Sequence, residues 1–273
     1  MAIDLASLWN HGKPELSEQR FREALQNASD EDALVLETQI ARTYGLRRDF
    51  GRAREILSTI EAQAMKASPE VRTRYFLELG RTYASTTHPP ESQTPETRQL
   101  ARSHYTQAFE TAQQAGLDEL AIDALHMMVC VDPDPDDQLK WNMKAVAYME
   151  ESSQPEAKKW EGSLRNNIGY AQHLRGDYEE ALRQYELSLA AHERAGRAAN
   201  VRIAHWMIAH TLRAQGKLRE AIDIQLRLER EWDLAGEPDP YVYEELEHLF
   251  RAVNETERAE AYAHKLRESR KQE

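Results

Sequence analysis

Apolar residues recur at three- and four-residue spacing along nearly the whole chain, in long stretches separated by short polar breaks, and that period predicts amphipathic helices. The breaks carry the punctuation. HLRGDYEEAL (173–182) and LRAQGKLREAI (212–222) place Gly176 and Gly216 in matching contexts, 40 residues apart. In each, a periodic segment ends, a glycine follows, and a new segment opens on polar or acidic residues. A glycine tolerates the left-handed conformation that ends one helix and lets the next turn back on it, so the unit is a helical hairpin. Thr94-Pro95-Glu96 and Ser68-Pro69-Glu70 are further helix starts, each with a hydroxyl cap, a proline in the first turn and an acid behind it.

One scheme repeats across these hairpins. Ile40-Ala41-Arg42-Thr43-Tyr44 precedes Ala53 to Leu57, Leu79-Gly80-Arg81-Thr82-Tyr83 precedes Ala101 to Tyr105, and Ile168-Gly169 precedes Ala181 to Tyr185. The small residue of the first helix allows close approach, and the bulky residues of the second fill the groove beside it. These residues resemble the tetratricopeptide repeat, with LGRTY (79–83) and the 169–185 unit as the best matches. Gln172, Gln225 and Glu247 depart from its pattern. The longer units resemble the long-helix bacterial, peptide-responsive members. The resemblance implies an all-α, right-handed α-solenoid of five or six hairpins in a single domain, residues 1–273. Within it, residues 1–30 form N-terminal capping helices, 31–239 the hairpins, with an insertion near 86–98, and 240–273 a C-terminal capping hairpin.

Composition narrows the function. A formal net charge of −12 disfavours a phosphate backbone, so nucleic acid is not an expected partner. The start of the chain lacks the basic, then apolar, pattern of a signal peptide, and no run of apolar residues is long enough to span a bilayer, so the expectation is a cytoplasmic protein with no membrane partner. Cys130 is the single cysteine and sits in apolar HMMVCV, as a buried thiol would. Asp132 to Asp137 (DPDPDD) imitates a calcium loop but places Asp137 and Met143 where glycine and glutamate are needed; an acidic helix start explains it better. His205 and His210, five apart, do not share a helix face for one metal. Phosphate-loop, zinc-protease and hydrolase signatures are absent. No cofactor, metal or catalytic residue is expected. Met127, Met128, Met143 and Met149 read as core filler, and Trp141 and Trp160 as packing between hairpins.

The repeat alignment supplies a constellation instead. The residue after each small residue of the first helix, with its equivalents in weaker copies, gives Arg42, Arg81, His126, Tyr170, His210 and His248. By the resemblance, this position faces the concave groove. One turn on come His173, Arg213 and Arg251, and one turn earlier Asn166 and Trp206. Arginine holds carboxylates bidentately, asparagine pairs with peptide amides, and tryptophan anchors. The expectation is a non-catalytic scaffold that holds a protein or peptide, acidic or with a free C-terminal carboxylate, on a locally positive strip. Removing Arg42 or Arg81 would then cost affinity and little stability. The alternatives are a small-molecule or metal-binding sensor or enzyme using the His/Tyr/Arg ladder, and a structural protein that self-associates as a homodimer. An unliganded solenoid face would also carry polar residues.

Overall fold

A computed structural model describes residues 3–271, and among them the regular structure is helical. The chain packs as two compact units, one ending at Trp160 and the other beginning at Glu161.

The first unit opens with a one-turn helix α1 (Leu5–Leu8) and α2 (Pro14–Leu25). Three hairpins follow: α3 (Asp30–Leu46) with α4 (Phe50–Ala64), α5 (Pro69–Arg81) with α6 (Pro95–Ala115), and α7 (Asp118–Val129) with α8 (Pro135–Glu151). A short α9 (Pro155–Lys158) packs on α7 and α8. The second unit holds three more: α10 (Glu161–Leu174) with α11 (Tyr178–Arg194), α12 (Ala198–Ala214) with α13 (Leu218–Ala235), and α14 (Pro240–Ala252) with α15 (Thr256–Ser269). The first helices of successive hairpins also touch, α3 with α5 and α5 with α7 in the first unit, α10 with α12 and α12 with α14 in the second. That side-by-side row is what the ladder requires.

The predicted caps form. The Ser68 and Thr94 hydroxyls accept from the backbone N–H groups of Val71 and Thr97 at 3.4 and 3.3 Å. Gly176 and Gly216 take φ of 80° and 77°, and the N–H just beyond each reaches back to a carbonyl five residues earlier, Asp177 to Gln172 and Lys217 to Leu212. Arg48 and Asn254 adopt the same left-handed turn without being glycine, at 63° and 61°. Inside the hairpins, Tyr105 and Tyr185 are fully buried. A Cβ on Gly80 or Gly169 would stand only 2.5 or 2.6 Å from those rings, which is the close approach the repeat scheme anticipates. The insertion folds back: a 3-10 turn (Pro90–Ser92) follows a buried His88, whose ring stacks on Phe50 at 3.7 Å and bonds Ser85 and the Thr82 carbonyl. Met127, Met128 and Met149 are buried as expected. Met143 is not; it stands 51% exposed, about 100° round α8 from the centre of the buried stripe of Asn142, Ala145, Val146 and Met149.

Candidate binding site

Each ladder residue lies near the C-terminal end of a first helix, and the residue three positions earlier lies one turn below it on the same face. In three hairpins that earlier residue is acidic: Glu78 below Arg81, Asp123 below His126, Glu245 below His248. The consequence is a diagonal pairing between neighbouring hairpins.

In the first unit Arg42 on α3 donates from Nη1 to Glu78 Oε1 on α5 at 3.3 Å. Arg81 donates to the same oxygen at 2.6 Å and, from Nη2, to both Asp123 oxygens on α7 at 2.5 and 2.7 Å. Burial works against the Arg81 charge, but Asp123 and Glu78 outweigh it and hold its pKa above the ordinary guanidinium value. Burial likewise opposes ionisation of Asp123, and the Arg81 and Arg42 charges override it, so the carboxyl stays below its usual range. His126 is kept below the usual imidazole value by burial; Asp123 pulls the other way, and Arg81 and Arg42 reinforce the burial. Its ring lies 5.4 Å from Trp160. Arg81 is therefore an internal strut. Its side chain is only 11% exposed rather than open to solvent, because Glu78 of its own helix and Asp123 of the next hairpin claim its donors. The same pairings offset the positive charge of Arg42 and Arg81 along this row.

In front of these residues the first unit encloses a cavity of about 770 Å³, floored by Val35, Leu77 and Leu120 and flanked by Trp9 and Trp160. Trp9 donates to Gln39, the residue three before Arg42, and lies 5.9 Å beneath the Arg42 guanidinium. A smaller hollow of about 190 Å³, lined by Ser85, Thr86 and Thr87 of the insertion, shares Arg42, Glu78, Arg81, Asp123 and Trp160 with the larger one. Neither Trp9 nor Trp160 belongs to the sequence-derived ladder, since both lie outside the repeated helices.

The second unit repeats the diagonal motif. His210 on α12 has Nδ1 3.1 Å from Glu245 Oε2 on α14, and Arg213 donates through Nε to Glu245 Oε1 at 2.6 Å. Burial opposes the Glu245 charge, but the hydrogen bonds from His210 and Arg213 prevail and lower its pKa. Trp206 stacks on His210 at 4.9 Å and donates to the Tyr241 carbonyl at 3.2 Å. His173 lies 4.8 Å from the His210 ring, with Nδ1 2.9 Å from the Thr211 hydroxyl, and burial, then His210 and Arg213, hold it below the usual imidazole value. Thus His173, Trp206, His210 and Arg213 form one contiguous cluster. Tyr170 is 45% exposed on the same row, where Met207 of the next hairpin offers no acceptor. His248 is exposed, and Arg251 pairs with Glu247 of its own helix at 2.9 Å. Asn166 has a buried Oδ1 without a hydrogen-bond donor.

Asp134 of the acidic turn caps α8, and Asp132 accepts from Arg102 and Trp141. Among the described residues no group of three or more potential metal ligands converges. No helix among them is long and apolar enough to cross a membrane.

The family model for the tetratricopeptide repeat matches residues 160–229. Those residues are tetratricopeptide repeats. The whole chain shares the fold of solved tetratricopeptide-repeat proteins. The apo form of RapI is 12% identical, with 96% of this chain aligned to 73% of that one at a TM-score of 0.71. A signal-transduction ATPase with numerous domains and a tetratricopeptide repeat sensor, from Pyrococcus horikoshii, is 12% identical at 0.69, and the match covers 93% of this chain but 39% of that one. NprR in complex with its cognate peptide NprX is 17% identical at 0.56, covering 98% of this chain and 78% of that one. No curated protein matches the chain in sequence.

Proposed function

We propose that this tetratricopeptide-repeat chain is a non-catalytic scaffold that holds a segment of a protein or peptide against the first helices of its hairpins. The observation that carries the reading is the cavity of about 770 Å³ in the first unit, where an apolar floor and two tryptophans adjoin Arg42 and Arg81. Pockets that bind ligands combine an apolar lining with a few fixed polar groups in this way. NprR, a protein of like fold, binds a peptide, and that adds support. In the second unit Asn166, Tyr170, His173, Trp206, His210, Arg213 and His248 offer a second stretch of contacts. Because Arg81 and Arg213 are committed to internal carboxylates, an acidic or C-terminal-carboxylate partner loses the feature that first suggested it. A second reading, a small-molecule sensor, is favoured by the hydroxyl-lined hollow of about 190 Å³.

The test is affinity capture from the native organism with the wild-type chain and three variants. A groove partner is lost with Trp160→Ala and weakened with Arg42→Ala, and is retained with Arg52→Ala, whose exposed side chain pairs with Glu55 on α4. A partner held equally by all four proteins sinks the groove reading.

A further inference from the structure

The charge balance of the first unit's cavity runs opposite to that of the arginine ladder. Seven carboxylates line it (those of Asp4, Asp32, Glu70, Glu78, Glu119, Asp123 and Glu156) against four cations. Of the cations, Arg81 is bound to Glu78 and Asp123, and Arg74 donates to Glu70 at 2.9 Å. His11 at the rim is held below the usual imidazole value by burial and by Arg42 and Arg81, so it adds no charge near neutrality.

A second observation is independent of that excess. Glu78 is only 4% exposed and lines both cavities, and while its Oε1 accepts from Arg42 and Arg81, its Oε2 is buried with no donor at all. A buried carboxylate oxygen without a donor is costly, and each such atom in a folded protein calls for an explanation. An N–H-bearing group of a ligand supplies one. The flanking rings suit a cation too: the Arg42 guanidinium already lies over Trp9, and Trp160 offers a second face on the same cavity.

The geometry points to an extended, basic peptide segment as the occupant, with a lysine or arginine side chain donating to Glu78 Oε2. This rests on the groove reading above and fixes the sign of its ligand. The net charge of −12 would speed the approach of such a segment.

Three labelled pentapeptides test it against the full chain by fluorescence anisotropy, identical except for two arginines, two glutamates or two glutamines. The arginine peptide is expected to bind at least tenfold more tightly than either other, and to weaken as salt rises. Glu78→Gln should cost it about tenfold. Glu119→Gln, on the cavity wall at a carboxylate that only longer-range attraction links to Arg74 and Lys159, should cost about threefold and flatten the salt dependence, and it keeps the test valid if Glu78→Gln fails to fold. Equal or tighter binding of the glutamate or glutamine peptide overturns the charge assignment and leaves the groove standing. Spermidine binding as tightly as the arginine peptide overturns the peptide in favour of a polyamine. Silence from all three peptides overturns the inference, while capture through Trp160 would still support the groove.

Discussion

Gly80 and Gly169 are both helical, and alanine there would gain about 1 kcal/mol of helix propensity. Their Cβ atoms, however, would meet the Tyr105 and Tyr185 rings at 2.5 and 2.6 Å, and both rings are wholly buried with nowhere to shift. Overpacking of this kind costs about 1–3 kcal/mol, so the clash wins. Gly169→Ala and Gly80→Ala should each lower the urea midpoint, whereas Gly45→Ala, with no atom within 4 Å of its new Cβ, should leave it unchanged or raise it. If all three behave alike, the small-residue contact is not what holds the hairpins. These contacts were legible in the sequence because a single side chain decides them. The turn at Arg48 was not, although LRRDF (46–50) has the register of LRGDY (174–178). An arginine in the left-handed conformation leaves no compositional signal; only the surrounding pattern betrays it.

At the scale of helices, a diagonal pair adds to the apolar packing that joins one hairpin to the next. Arg42 reaches Glu78, Arg81 reaches Asp123, and His210 with Arg213 reaches Glu245. The sequence displayed the basic partner of each pair in a repeat-aligned column, but the acidic partner lies three residues earlier in the following repeat. Reading one column at a time therefore left out the carboxylates that engage these basic residues. Breaking a buried pair by removing one partner typically costs about 3–5 kcal/mol, because the other charge is left uncompensated. Arg81→Ala strands Asp123, leaves Glu78 with Arg42 alone, and belongs in that range, whereas Arg251→Ala, on a pair within one helix, should change stability by less than about 0.5 kcal/mol. Chemical denaturation of the two variants side by side measures the difference; equal losses would mean that the diagonal pairs do not join the hairpins.

Over the whole molecule, the same burial makes the fold sensitive to acid. His88, His104 and His126 in the first unit, and His173, His192 and His205 in the second, all have their pKa lowered, with burial the largest cause in each. Once unfolded, each would titrate near the ordinary 6.5. Between that value and its lower folded one, the unfolded chain binds more protons, so stability is full above about 6.5 and declines as pH falls. A second decline follows below the ordinary carboxylate range, where Asp123 and Glu245, lowered by their cationic partners, lose that advantage. Glu119 and Asp239, raised by burial, work in the opposite sense, and the six lowered histidines outnumber them over the interval from pH 7 to 5.5. The melting temperature should fall across that interval in both units. His104 gives the sharpest control. Its ring lies between Phe76 and Tyr83, 6.3 and 5.7 Å away, with a buried Nδ1 that has no partner, and Glu61 is the one charge that opposes the lowering. His104→Phe keeps an aromatic ring in the stack and removes the titration, so it should narrow the gap between the melting temperatures at pH 7 and 5.5. A gap as wide as that of the unsubstituted chain would show that His104 does not carry the acid response.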